Sequence, residues 1–364
     1  MEMVILDVRL KKIYGFDEFH MNFSYPRKLS ASLLGNETLE GRSRFRYKKA
    51  VILMGTNATG KTSLGKALLK IFSSIREANE AILRDLPSGD TPAEFQVDFV
   101  NEGYVLHRFS GIIEKDNVNI RYFAADIEEM DSYEMTVLKL EEKTAEINGS
   151  LKELRKTVGT LRYRFAYPEI EKSLRVKEIG QEEMLRTLRA VIGTLDPTLT
   201  DVSIAKDLKD SFVIRRRGEE IIIQDGNLLN RDLLSSGTAE GIDVAVFLAA
   251  MLSQIEGFYY CDEHFSYIES AIEKRIFGLM VERLKGNGQL IFTTHNTDML
   301  TLNLPKHSFA FLRKEIDAEK YIVSVTFASD ILKRNTDSVK CAMENDAFES
   351  LPDDSLLDEL EVAD

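Results

Sequence analysis

The chain has 364 residues, 44% of them apolar, with two cysteines and a formal net charge of −13. That content supports one large or two moderate cores, and ordinary glycine and proline numbers exclude collagen-like and wholly disordered classes. Two cysteines make no disulfide framework, the net charge argues against a protein that simply coats nucleic acid, and the longest apolar run, 244–252, is far short of a membrane span.

The first residues show no basic stretch followed by an apolar one, so no secretory signal is expected and the inferred location is the cytoplasm. Residues 3–10 read as a strand, and Phe16, Phe19, Met21 and Phe23 suggest a second before a polar loop at 26–47. The apolar run 51–54 is a buried strand. It leads into Gly55-Thr56-Asn57-Ala58-Thr59-Gly60-Lys61-Thr62 and then an amphipathic helix beginning at Ser63. This is the G-x-x-x-x-G-K-[ST] pattern in the strand–loop–helix context that gives it meaning. Backbone N–H groups of such a loop and of the helix N-terminus converge on one hollow, where the helix dipole favours an anion. Gly55 and Gly60 permit the turn, Lys61 can reach β- and γ-phosphates, and the Thr62 hydroxyl can ligate Mg²⁺. The ligand class expected is a nucleoside triphosphate.

Residues 94–100 and 104–109, joined by Asn101-Glu102-Gly103, form a hairpin pattern. Further on, Val137, Leu140, Thr144, Ile147, Leu151, Leu154, Val158, Leu161 and Phe165 recur at steps of three and four, the spacing of a helical seam. Asn148-Gly149-Ser150 interrupts it, a point at which the helix can bend or split. The stripe fits either a helix packed on its own domain or a short projecting coiled coil. A second helical stripe, Leu185 to Leu195, closes at Asp196-Pro197. Another hairpin is expected over 212–223, then an apolar helix over 241–252, a strand over 258–261, a helix over 269–285 and a strand over 290–294. Strand, helix, strand at these lengths is a βαβ unit of a parallel sheet.

Ligands in open parallel sheets gather at the carboxyl ends of the strands. Two such ends carry chemistry here. Phe258-Tyr259-Tyr260-Cys261 runs into Asp262, suited to a Mg²⁺ contact, and Glu263, suited to polarising a water. Strand 290–294 runs into His295, which can serve the γ-phosphate side. A fourth piece, Leu234-Ser235-Ser236-Gly237-Thr238, opens the apolar helix and offers a second helix N-terminus. Local basic clusters stand at Arg42, Arg44, Arg46, Lys48 and Lys49; at Lys152, Arg155, Lys156, Arg162 and Arg164; and at Arg215-Arg216-Arg217. Residues 341–364 hold nine acidic residues and no Lys or Arg, interspersed with Phe348, Leu351, Leu356, Leu357 and Leu360, a mixture suited to a docking or self-shielding segment.

In this order, the phosphate loop, Leu-Ser-Ser-Gly-Thr, the apolar run with Asp262-Glu263 and the strand with Thr294-His295 resemble the ATP-binding-cassette ATPase heads, closest to the SMC-, RecF- and OLD-like branch. Within that branch, the Ser-Ser-Gly-Thr turn and residues 289–296 are similar to prokaryotic ATPases of anti-phage and abortive-infection systems. The resemblance implies an α/β fold: an ABC-type P-loop NTPase with an antiparallel N-terminal sheet, a parallel-sheet core and an inserted helical lobe. Residues 1–125 would form the N-terminal part of the head with the phosphate loop, 126–200 the helical insertion, 201–330 the C-terminal part, and 331–364 the acidic tail. It further implies ATP and Mg²⁺ as ligands, with Gly55, Asn57, Gly60, Lys61, Thr62 and Ser63 on the nucleotide and Thr62 and Asp262 on the metal. Ser235 and Gly237 would contact the ATP of a second copy, Ile268-Glu269 would communicate across the dimer, and Glu263, His295 and Lys61 would act in hydrolysis. Partners implied are a homodimer, or a higher oligomer, and a separate effector such as a nuclease or toxin, with DNA for a RecF-like reading and a slow-turnover scaffold as a third reading. Three departures stand out. Ser236 and Thr238 replace the Gly and Gln of transporter cassettes, Gln96 lies mid-strand rather than in a metal-facing loop, and the insertion is far shorter than SMC arms. The sequence after His295 is also too short for the nuclease domain of OLD-family proteins.

Overall fold

A computed structural model describes residues 3–27, 34–35, 37–115, 117–167, 178–199, 201–205, 211–216, 219–224, 227–317, 320–334 and 336–351. Strand β1 (Val4–Ile13) turns into β2 (Phe16–Asn22), and the two pair antiparallel. A short ribbon of β3 (Thr38–Leu39) and β4 (Arg42–Arg46) precedes β5 (Ala50–Gly55), which is buried throughout. Helix α1 (Lys61–Glu77) follows the phosphate loop. The expected hairpin is β6 (Ala93–Val100) with β7 (Val105–Glu114), extended by β8 (Asn117–Asp126); β6 also pairs with β1.

The seam over 137–165 is not one helix. It divides into the end of α2 (Tyr133–Val137), the short β9 (Glu141–Glu142), α3 (Leu151–Val158) and β10 (Tyr163–Ala166). The breaks have a backbone cause: Asn148 and Gly149 both take left-handed φ, 49° and 61°, and Gly159 (φ 76°) ends α3. The spacing nevertheless marks core. Ile147, Leu151, Leu154, Val158, Leu161 and Phe165 are all buried in one cluster with α1, so successive short elements share a wall that a projecting coil would have left open.

Helix α4 (Gln181–Leu195) stops at Asp196 as expected. Strands β11 (Asp201–Ile204), β12 (Phe212–Arg216), β13 (Glu219–Gln224) and β14 (Asn227–Leu229) make a separate antiparallel sheet, in which β12 and β13 are the expected hairpin partners. Helix α5 (Ser236–Leu252) begins before the expected Gly241, because the Ser235 side chain caps it by accepting from the Thr238 N–H. Then come β15 (Phe258–Asp262), α6 (Ser270–Arg283), β16 (Gln289–Thr293), β17 (Phe309–Asp317), β18 (Lys320–Phe327), α7 (Ala328–Ile331) and α8 (Val339–Glu344). Leu356, Leu357 and Leu360 of the acidic tail lie outside the described residues.

One twelve-stranded sheet runs β10-β15-β16-β5-β17-β18-β2-β1-β6-β7-β8-β9. Its first five strands are parallel, and β18 joins β2 in parallel through the single ladder pair Ile322↔Glu18. The expected antiparallel part and parallel core are thus halves of one sheet. Alternation along the core strands sorts side chains to two faces. Val51, Leu53, Tyr260 and Ile291 enter the cluster with α1 and α3, while Ile52, Met54, Tyr259, Cys261 and Phe292 enter the one with α4, α5 and α6. Covering both faces explains why these strands read as unbroken apolar runs.

His107 on β7 is buried against Phe99, with Nδ1 2.8 Å from the Tyr122 hydroxyl. Burial pushes its pKa down to about 4. An unfolded chain takes up this proton near pH ~6.5, so stability present at neutral pH is lost as pH falls from there toward about 4. In chemical denaturation at a series of pH values, His107→Phe should lose about 2 kcal/mol less between pH 7 and pH 5 than the parent chain does. Equal slopes would show that the imidazole is not buried neutral.

Candidate nucleotide-binding site

The phosphate loop leaves β5 at Gly55 and enters α1 at Lys61. Gly60 has φ 102°, and a Cβ on it would lie 2.6 Å from the Phe16 ring, so both backbone and space require glycine. No side chain caps α1 at Gly60, which leaves first-turn N–H groups open to an anion. Asn57 is exposed on the loop, and Ser63 is half-buried in the first turn. Lys61 is 4% exposed and curls back, its ammonium donating to Gly55 O at 2.9 Å and Thr56 O at 3.2 Å. Burial lowers its pKa, and the neighbouring Glu263 charge opposes that. The Tyr260 hydroxyl donates to Lys61 O at 2.6 Å and pins α1 to β15.

Parallel register sets Asp262 beside Thr293, and Thr293 beside Leu53. Asp262 is buried, with Oδ2 accepting from Thr62 Oγ1 at 2.6 Å and Oδ1 from Thr293 Oγ1 at 2.7 Å. Burial raises its carboxyl pKa, and the two hydroxyls work against the rise. Glu263 follows with φ 49°, a left-handed turn held by its N–H donating to Thr293 Oγ1 at 3.0 Å. Its Oε1 lies 2.9 Å from His295 Nε2 and 3.3 Å from Lys61 Nζ. The hydrogen bond from His295, with the Lys61 charge, holds this carboxyl below its ordinary range against the effect of burial. The loop carrying His295 is fixed to α6 from both sides, since Thr294 Oγ1 and Asn296 Nδ2 donate to the two oxygens of Glu273 at 2.7 and 2.6 Å.

Five of the expected site residues therefore form one cluster: Lys61, Thr62, Asp262, Glu263 and His295. Ser235 and Gly237 stand apart, at the start of α5. A groove of about 630 Å³ runs between, with Thr62, Asp262 and Glu263 on one wall and Ser236 and Glu240 on the other. Thr293 and Glu273 were not expected. A β-branched residue inside an apolar strand reads as core, and Glu273 carries no motif; only the folded register brings them to the site. Gln96 is mid-strand on β6, opposite Arg9 and Ser110, as its alternation indicates.

No family model matches the chain. No curated protein sequence matches it either. Among solved structures, an Smc head bound to the C-winged helix domain of ScpA is similar over 90% of this chain and 99% of its own, with a TM-score of 0.54 at 16% identity. A Pyrococcus furiosus Smc head with an extended coiled coil, bound to the C-terminal domain of ScpA, is similar over 90% of this chain and 97% of its own, with a TM-score of 0.52 at 13% identity. The fold is the SMC head fold. It is an ABC-type P-loop architecture, as the order of motifs implied, and at such identities the likeness is one of fold. Among the described residues, no helix of this SMC-head fold is long and apolar enough to cross a membrane.

Lys61→Ala should abolish detectable binding of a fluorescent ATP analogue in titration, because it removes the cation beside the open N-terminus of α1. The melting temperature without nucleotide should fall by only a few degrees, since the change removes the donor to the buried Gly55 carbonyl but no apolar core contact. Unchanged affinity would show that the loop does not take a triphosphate.

Proposed function

We propose that this chain is an ATP-binding and ATP-hydrolysing ABC-type ATPase that dimerises head to tail on ATP and, as a dimer, controls a separate effector protein. The observation that carries the reading is the shared Glu263 Oε1, held between Lys61 and His295. A γ-phosphate arriving at Lys61 competes with Glu263 for the ammonium. Glu263 then keeps His295 on one carboxylate oxygen and turns the other toward a water placed for in-line attack. His295 and the first-turn N–H groups of α1 stay in place to meet charge developing on the phosphoryl oxygens. The residues also fit Mg²⁺. Thr62 and Asp262 offer hard hydroxyl and carboxylate oxygens 2.6 Å apart, and a carboxylate whose pKa burial raises gains from a cation. When bound, Mg²⁺ neutralises charge on the β- and γ-phosphate oxygens.

The start of α5 gives the reason for a dimer. Ser235 and Gly237 belong to a second helix N-terminus, whose Ser236 lines the groove shared with Thr62, Asp262 and Glu263, and it is suited to the triphosphate of another copy. The two Smc heads named above are each bound to a ScpA domain, and a protein partner on the head is the feature carried over to this reading. The effector is read as a nuclease or toxin and the setting as anti-phage defence, on the resemblance of the Ser-Ser-Gly-Thr and Thr-His-Asn stretches. A RecF-like grip on DNA would have to rest on the exposed members of the basic clusters, such as Arg44, Lys152, Arg155 and Arg162. Lys48 and Lys49 are buried and donate to backbone carbonyls, Arg164 is buried beside Glu178 and Glu256, and Arg215 pairs with Asp201 and Glu220.

The test separates hydrolysis from assembly. Glu263→Gln should bind ATP and Mg²⁺ but accumulate an ATP-locked dimer, whereas Ser235→Arg should fill the composite site and stay monomeric. Light scattering with and without ATP reads both, and identical behaviour of the two variants would remove the dimer mechanism.

A further inference from the structure

The loop after Glu263 is gripped by the helix that carries the Ser-Ser-Gly-Thr turn. Glu240, in the second turn of α5, is 6% exposed, and its two oxygens accept from consecutive backbone N–H groups. Oε1 takes Ser266 at 3.2 Å and Oε2 takes Tyr267 at 2.9 Å. One helical turn earlier, Gly237 meets the same loop, where a Cβ would lie 2.7 Å from the Tyr267 carbonyl oxygen. Residues three apart share a helix face, so Gly237 and Glu240 form one docking edge. At its other end the loop is tied to the catalytic turn, since Ser266 Oγ donates to Glu263 O at 3.1 Å. A carboxylate fixed on two adjacent N–H groups restrains a loop in direction as well as distance.

We infer that Glu240 is a positioning residue for Glu263: it makes the first turns of α5 and residues 264–267 move as one body, so that a triphosphate seated on Ser235 and Gly237 sets the carboxylate of the subunit that holds them. The inference rests on the ATPase reading above, with α5 facing the nucleotide of a second copy. Tyr267, 71% exposed at the groove, is the part of the loop that such a copy would meet first. The single-subunit geometry therefore supplies a route by which occupancy of one site is felt at the other.

The experiment uses the full chain and follows ATP turnover, ATP affinity and amide exchange together. Glu240→Gln is near-isosteric, keeps one acceptor and points an NH₂ donor at the second N–H. Its kcat should fall roughly tenfold, with ATP affinity within about twofold and faster exchange at Ser266 and Tyr267. Glu240→Asp, which keeps the charge, should recover part of kcat. Gly237→Ala presses the same loop through the Tyr267 carbonyl, and the double variant should be little worse than the worse single one, because both act through one contact. Unchanged kcat in Glu240→Gln, affinity falling in step with kcat, or additive loss in the double variant would each overturn the inference. The ATPase reading fails separately: it falls if the parent chain does not turn over ATP or if Glu263→Gln hydrolyses like the parent, and the inference falls with it.

Discussion

Asp262 is a carboxylate at the end of a fully buried strand, and the site depends on how its two oxygens are held. One hydroxyl comes from α1 and one from β16, so a single side chain locks the phosphate-loop helix to two neighbouring strands. A buried carboxylate without such partners would protonate or force the strands apart. Thr293 serves twice, since its Oγ1 donates to Asp262 and also accepts from the Glu263 N–H. The left-handed turn that aims Glu263 at Lys61 and His295 is a consequence of that second bond. Binding chemistry and local folding are therefore the same set of contacts here.

The two-sided sheet explains why the functional pieces come from distant parts of the chain. With α1 and α3 on one face and α4, α5 and α6 on the other, the parallel strands have no solvated face, and chemistry is left to their carboxyl ends. The strands β5, β15 and β16 end side by side, which brings Gly55 to one edge with Asp262 and Thr293, more than two hundred positions further along the chain. Helix α5 lies against the same sheet, so its first turn opens onto the same groove.

Much of this was legible because the signals were local. The phosphate loop, the hairpins of β6 with β7 and β12 with β13, and the Asp-Glu pair after an apolar run each lie within one short window whose physics is self-contained. The seam over 137–165 was legible as core and as interrupted at Asn148-Gly149-Ser150, but not as the mixture of helix and strand it forms. A step of three or four records which side chains face a core, and a chain of short elements bending around that core produces the same step as one helix. Two consecutive left-handed residues, Asn148 and Gly149, decided between them, and only one of the two is a glycine. Glu240, Thr293 and Glu273 were illegible because their partners are backbone N–H groups and side chains brought in by register, for which single residues carry no mark. The basic clusters read as surface charge, yet Lys48 is buried, with its pKa pushed down to about 8 and its ammonium over the Phe327 ring.

The seam between β18 and β2 divides the long sheet mechanically. On either side strands are stitched by extended ladders, whereas across it the described residues show the ladder pair Ile322↔Glu18, helped by Asp17 accepting from the Tyr321 N–H. A row of hydrogen bonds resists shear in proportion to its length, so a transverse load on the sheet concentrates at this line. Away from that line the two halves are still tied, since Gln289 of β16 accepts from the Ile5 N–H and donates to the Ile5 carbonyl of β1, and both halves enter the cluster with α1. Phe16, which packs over Gly60 of the phosphate loop, belongs to the half bearing β6, β7 and β8. A load across this line would therefore reach the roof of the phosphate loop, through Phe16, as well as the ladders themselves.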